Sequence, residues 1–350
     1  MKQYLTPGAA CLAALLLATG GLTAQQPEAK VQDASYGAVK IDAKIGKYVA
    51  GTPVSGSLKS IGSDTMNNEM ALWAEGFRKF YPNVQIEVEG KGSATAPPAL
   101  ANGTAHFGPM SRPIKAEEAD VFEKKFGYKP TEVKTSVDVL AVYVHKDNPL
   151  ASLSLEQVDA IFSKTRKGGW EKDITTWGDL GLTGEWADKP ISLYGRNSAS
   201  GTYGYFKEHA LYKGDYKDTV KEQAGSSSVV QGVASDKYGI GYSGIGYKTA
   251  DVRALPIAKN AKGEAYEASM ENAYSGKYPI SRFLLLYVNK EPGKALDPLR
   301  AEFLSYVLSA QGQEAVVKDG YLPLPYNVLA KEREKLGLAA LMVPISVNPN

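Results

Sequence analysis

Apolar and polar residues divide this chain into segments of two periods. Met66, Met70, Trp73, Phe77 and Phe80 recur at intervals of four, three, four and three, which is one face of a helix, and Tyr81 closes the run. The spacing predicts a helix over 64–81, capped by Ser63, Asp64 or Thr65. Val84-Gln85-Ile86-Glu87-Val88 alternates and predicts a strand over 84–89. A helix is expected over 116–126. The run 136–144 is apolar except for Asp138, which reads as a strand buried on both faces, ended by the turn residues His145-Lys146-Asp147-Asn148-Pro149. Ser154-Leu155-Glu156-Gln157 is a capping box ahead of Val158, Ile161 and Phe162, and another helix opens at Ser228-Val229-Val230-Gln231. A strongly apolar strand over 279–288 precedes helices around 296–309 and 311–319. Strands and helices in alternation predict an α/β protein.

The junctions between these elements carry the chemistry. Gly195-Arg196-Asn197-Ser198-Ala199-Ser200-Gly201-Thr202 lies between the short β-type run Ile191-Ser192-Leu193-Tyr194 and a helical pattern begun by Tyr203, Tyr205 and Phe206. At a helix N-terminus, backbone N–H groups and the helix dipole favour an anion, and an arginine adds two charge-assisted bonds. Taken alone, the stretch is equally an ordinary serine cap beside a surface arginine. The pattern recurs at Gly62-Ser63-Asp64-Thr65 and at Gly90-Lys91-Gly92-Ser93-Ala94-Thr95, where Pro97 and Pro98 suit a first helical turn. With the further pair Ser111-Arg112, the set reads as the wall of one oxyanion site.

At 350 residues the chain suits two α/β lobes, and 43% hydrophobic with 22% charged residues is a globular composition. No apolar run reaches bilayer length, so an integral membrane protein is not expected. Lys2, the apolar segment over 9–18 and the small residues ending at Leu22-Thr23-Ala24 predict an export signal over 1–24 and a periplasmic or secreted protein. The one cysteine, Cys11, lies inside that signal, so the mature chain is expected to lack disulfides and thiolate chemistry. Forty basic and 38 acidic residues give a net charge of +2, which recruits no nucleic acid. Residues 25–55 read as a mobile leader or loosely packed arm. Chain crossings near 145 and 280 would then make one lobe from 56–145 with 280–330, a second from 146–279, and a tail over 331–350.

In order and spacing, four segments resemble the phosphate-binding proteins that serve bacterial ABC importers, within the type II periplasmic binding protein fold. They are Gly62-Ser63-Asp64-Thr65-Met66, Gly92-Ser93-Ala94-Thr95, Phe107-Gly108-Pro109-Met110-Ser111-Arg112-Pro113, and Arg196-Asn197-Ser198-Ala199-Ser200-Gly201-Thr202. The likeness covers roughly 57–325. It implies two lobes with two hinge crossings and a ligand cleft between them. Thr65, the backbone of Met66 and Ser93 would bind phosphate from the first lobe, and Arg196, Ser200, Gly201 and Thr202 from the second. One departure matters. Where better-known members place an aspartate two residues before the proline, to accept the proton of hydrogen phosphate and repel sulfate, this chain has Ser111 followed by Arg112. Asp64 is expected to supply the acceptor instead, with Arg112 balancing its charge; the same residue is equally a plain helix cap.

Competing motifs are weaker. Gly239-Ile240-Gly241-Tyr242-Ser243-Gly244 matches a dinucleotide fingerprint, and Glu264 follows twenty residues on, but Gly246 and Tyr247 come next instead of an apolar helix; a close-packed strand explains it. His106, His145 and His209 are scattered, and no nucleophile elbow or phosphate-loop motif is present. Glu117-Glu118 are neighbours on a helix and point apart, which does not suit glycoside hydrolysis. The 21 tyrosines are dispersed and read as packing rather than a sugar platform. The expectation is a non-enzymatic, monomeric receptor with no cofactor or metal, which presents inorganic phosphate to a membrane permease of an ABC importer. Alternatives are a receptor for sulfate or molybdate, or a secreted phosphatase or adhesin that reuses the fold.

Overall fold

A computed structural model describes residues 39–341. The expected export signal, residues 25–38 of the arm and the last nine residues lie outside this range. In chain order the elements are β1 (Gly56–Gly62), α1 (Asn67–Arg78), β2 (Val84–Gly90), α2 (Ala96–Asn102), β3 (Phe107–Met110), α3 (Ala116–Phe126), β4 (Thr131–His145), β5 (Leu153–Ser154) and α4 (Leu155–Phe162). They continue with β6 (Ser192–Arg196), α5 (Gly201–His209), β7 (Lys221–Gln223), α6 (Ser226–Ser235), β8 (Gly239–Gly244), β9 (Val252–Ala254), β10 (Ile257–Ala258) and β11 (Ala265–Tyr266). The last are α7 (Met270–Tyr274), β12 (Ser281–Val288), α8 (Pro298–Val307), α9 (Ala310–Asp319) and α10 (Tyr326–Leu336). Among the described residues no helix is long and apolar enough to cross a membrane.

One long strand organises the main sheet, whose order is β2-β1-β3-β12-β4-β8-β6-β7 with β9 added on β4. From Thr131 to Val139, β4 pairs antiparallel with β12; from Leu140 to Val144 it pairs with β8 instead. Parallel pairs lie on either side of it, β1 with β2 and β3, and β6 with β7 and β8. A register shift at Leu284/Leu285 leaves Thr135 as an extra residue in β4, and its hydroxyl donates to the Leu284 carbonyl. The central strands are buried on both faces, which is why 136–144 and 279–288 read as continuous apolar runs.

Each section of the sheet has its own packed aromatics. Trp73 and Phe77 of α1 are wholly buried, Trp73 donating its indole N–H to the Gly312 carbonyl and Phe77 meeting Phe303 edge-on. Beyond β4, Phe206 stacks on Tyr242 with ring centroids 3.9 Å apart, and Phe162 meets both edge-on. Three sequence expectations need correction. The helix over 64–81 begins as a 3₁₀ turn, Asp64–Met66, before α1. Residues 39–52 of the arm are anchored: Tyr48 is buried and its hydroxyl bonds Tyr81 and Glu302, while its N–H donates to Gln311. The boundary at 331 falls inside α10, where Leu329 and Leu336 are buried and Arg333 donates to the Ser305, Leu308 and Ala339 carbonyls.

Candidate functional site

The parallel strands deliver the junctions to one place. β1, β2, β3 and β6 end at Gly62, Gly90, Met110 and Arg196, so the segments after them sit at the carboxyl edge, where the next helix or turn begins. Oγ1 of Thr65 and of Thr202 lie 2.9 Å apart. The Ser63 hydroxyl donates to Ser111 Oγ at 2.9 Å, the Ser111 N–H donates to Ser93 Oγ at 3.0 Å, and the Ser93 and Ser111 hydroxyls are 3.3 Å apart. All six of Ser63, Thr65, Ser93, Ser111, Ser200 and Thr202 are buried. Two glycines permit this approach. A Cβ on Gly201 would lie 2.2 Å from Ser93 Oγ and 2.6 Å from Ser111 Oγ; Gly92, at φ +108°, brings the second junction against the Ala199 carbonyl, to which the Ala94 N–H donates at 3.1 Å.

Arg196, only 1% exposed, supplies the positive charge. Nη1 donates to Ser226 Oγ at 2.7 Å and Nη2 to the Ala224 carbonyl at 3.1 Å, with Asp64 Oδ2 3.4 Å from Nη2. Nε is buried with no hydrogen-bond partner among the described residues. Burial presses the guanidinium pKa below its ordinary value, and Asp64 works the other way. Asp64 Oδ2 also accepts the Ser226 N–H at 2.8 Å. The turn bearing Asp64 and Thr65 is clamped by two phenols: Tyr247 donates to both carbonyls and Tyr321 to that of Thr65. Burial first, then nearby carboxylates, holds both phenol pKa values well above their usual range, so they remain neutral donors.

The expected role of Arg112 is corrected. Its guanidinium forms two bonds to Glu118, at 2.8 and 2.6 Å, in the first turn of α3, and a third to the Pro113 carbonyl; the partner that balances Asp64 is Arg196. Burial alone would raise the Glu118 pKa, but the Arg112 and Lys115 bonds bring it below the ordinary value. The Met66 N–H donates to the Ser63 carbonyl at 3.2 Å. Ser200 caps α5, its hydroxyl accepting from the Thr202 and Tyr203 N–H groups. Sequence reasoning did not single out Ser226, Asp138 or Arg282. The last two were each visible as an isolated charge in a strongly apolar strand, and they stand opposite one another, with Arg282 Nη2 2.8 Å from Asp138 Oδ2.

Rotatable hydroxyls, helix and turn N-termini and one buried guanidinium, drawn from both sides of β4, are a donor set for a small oxyanion. Comparison with known proteins agrees with this reading. The family described as PBP superfamily domain matches residues 49–311. The chain is 57% identical over 298 residues to the phosphate-binding protein PstS of Pseudomonas aeruginosa, covering 85% of this chain and 92% of that protein. PstS of Staphylococcus haemolyticus is 31% identical over 286 residues, 81% of this chain and 86% of its own. Among solved structures, a putative phosphate ABC transporter substrate-binding protein with bound phosphate from Clostridium perfringens superposes with a TM-score of 0.65 at 27% identity, covering 77% of this chain and all of that one. The chain therefore belongs to the PBP superfamily, among phosphate-binding proteins of the PstS type, and has the two-lobed type II periplasmic binding protein fold.

Proposed function

We propose that this protein, once exported, captures inorganic phosphate between its two lobes and delivers it to the permease of an ABC importer, without performing chemistry. The observation that carries the proposal is the meeting of Thr65, Ser93 and Ser111 with Gly201, Thr202 and the buried Arg196. The first lobe is 56–145 with 280 to the end of α10 at Leu336, to which Tyr48 of the arm is tied through Glu302, and the second is 146–279; β4 and the return into β12 are the crossings. Neutral hydroxyls replace the water around the ion, so the cleft needs no excess of basic residues. Arg196 and Asp64 offset one another, as do Arg282 and Asp138. Asp64 keeps lone pairs beyond those taken by Ser226 and Arg196, and these accept the proton of hydrogen phosphate, which sulfate lacks.

Isothermal titration tests both parts. Arg196→Ala is expected to lose roughly 2–5 kcal/mol of phosphate affinity, since it removes a buried charge partner. Asp64→Asn should narrow the preference for phosphate over sulfate. Parental phosphate affinity in Arg196→Ala removes the site assignment, and an unchanged preference in Asp64→Asn removes Asp64 from selectivity. A colorimetric phosphatase assay on the same samples should remain at background.

A further inference from the structure

Arg282 lies behind the hydroxyl cluster and contacts three segments. It is 6% exposed, with the Tyr205 ring packed 5.1 Å from the guanidinium carbon. Nε and Nη2 donate to Asp138 Oδ2 at 3.0 and 2.8 Å; Nη2 also donates to Thr202 Oγ1 at 2.8 Å, and Nη1 to the Ser111 carbonyl at 2.6 Å. The other oxygen of Asp138 accepts the Ile245 N–H at 3.1 Å. Asp138 stands next to the point where β4 exchanges β12 for β8. The pair thus joins Ser111 after β3, the crossing strand, Thr202 of α5 and Ile245 after β8.

A guanidinium has donors and no acceptor. The Thr202 oxygen therefore accepts from Arg282 and must direct its own proton elsewhere, toward Thr65 or toward an anion among these hydroxyls. Ser93 is committed in the same sense, because its oxygen accepts the Ser111 N–H. We propose that Arg282 is a positioning residue for anion capture: from behind the cleft it fixes Thr202 as a proton donor, and by reaching Ser111 and Thr202 together it completes its bonds only when the two lobes meet. The proposal rests on the phosphate reading above. It assigns affinity to a residue that need not touch the ion.

The test is a double-mutant cycle read by phosphate titration. Arg282→Gln is combined with Asp138→Asn, so that no lone charge is left buried; Asn retains the acceptor for Ile245. This pair is expected to weaken phosphate binding about 10- to 100-fold, the scale of a charge-assisted bond. Thr202→Val should also weaken binding. Because Arg282 acts through Thr202, adding Thr202→Val to the pair should cost less than about threefold more, where independent effects would multiply. Should the neutral pair fail to fold, Arg282→Lys retains a cation for Asp138 but cannot span Asp138, Thr202 and Ser111. It is then expected to bind at least about tenfold more weakly, with a melting temperature near the parent's. Multiplying effects, or parental affinity in either Arg282 variant, overturn the proposal. Normal phosphate binding by Arg196→Ala would instead overturn the reading on which it rests.

Discussion

At the scale of single residues, the proposed capture depends on how closely backbone and hydroxyl oxygens approach. Gly201 starts α5 with its Cα against Ser93 and Ser111, and an added methyl would have to displace both hydroxyls. Alanine is otherwise the better residue in a helix. That gain does not offset the clash, so Gly201→Ala is expected to lower the melting temperature, at a cost of about 1–3 kcal/mol, the usual scale of overpacking, and to weaken phosphate binding as well. Titration and a thermal melt on one preparation check both halves of this; unchanged affinity would mean that the glycine serves only the fold. The same closeness explains why Gly92 adopts a left-handed φ where the second junction meets Ala199.

At the scale of elements, local signals carried the helices and strands, and partners distant in sequence carried what was missed. α3 matches its expected bounds because the Glu118 carboxylate accepts the Lys115 N–H at its start and Gly127 ends it in the left-handed region. Residues 39–52 gave no periodicity, since Ile45 and Tyr48 are isolated buried positions, and the partners of Tyr48 lie just beyond the end of α1 and on α8 and α9. Tyr48 also meets Phe80 and Tyr306 edge-on. Tyr48→Ala is expected to cost about 3–5 kcal/mol in urea unfolding, as for other buried aromatics, with phosphate affinity unchanged. A cost within experimental error would show that the arm contributes nothing. In the site, the glycine- and serine-bearing junctions were legible because helix starts have local signatures. The direction taken by Arg112 was not, because nothing local separates Glu118, six residues on, from Asp64 as its partner. Nor could spacing pair Asp138 with Arg282, which are 144 residues apart.

At the scale of the molecule, β4 belongs to both sections of the sheet, and bonds beyond it close the cleft: Thr65 to Thr202, Ala94 to Ala199, Asp64 to Arg196 and Ser226. A ligand stabilises that arrangement only as far as it binds the closed form more tightly than the open one. An anion held by donors from both lobes meets this condition, and the near-zero net charge of the chain leaves the work to those donors. The most direct measurement is a crystal structure of the protein with phosphate. The ion should lie between the lobes, with its oxygens about 2.6–3.1 Å from Thr65 Oγ1, Ser93 Oγ, Thr202 Oγ1 and the Arg196 guanidinium. Phosphate bound at another surface, or touching one lobe alone while Arg196 stays turned away from it, would contradict this account.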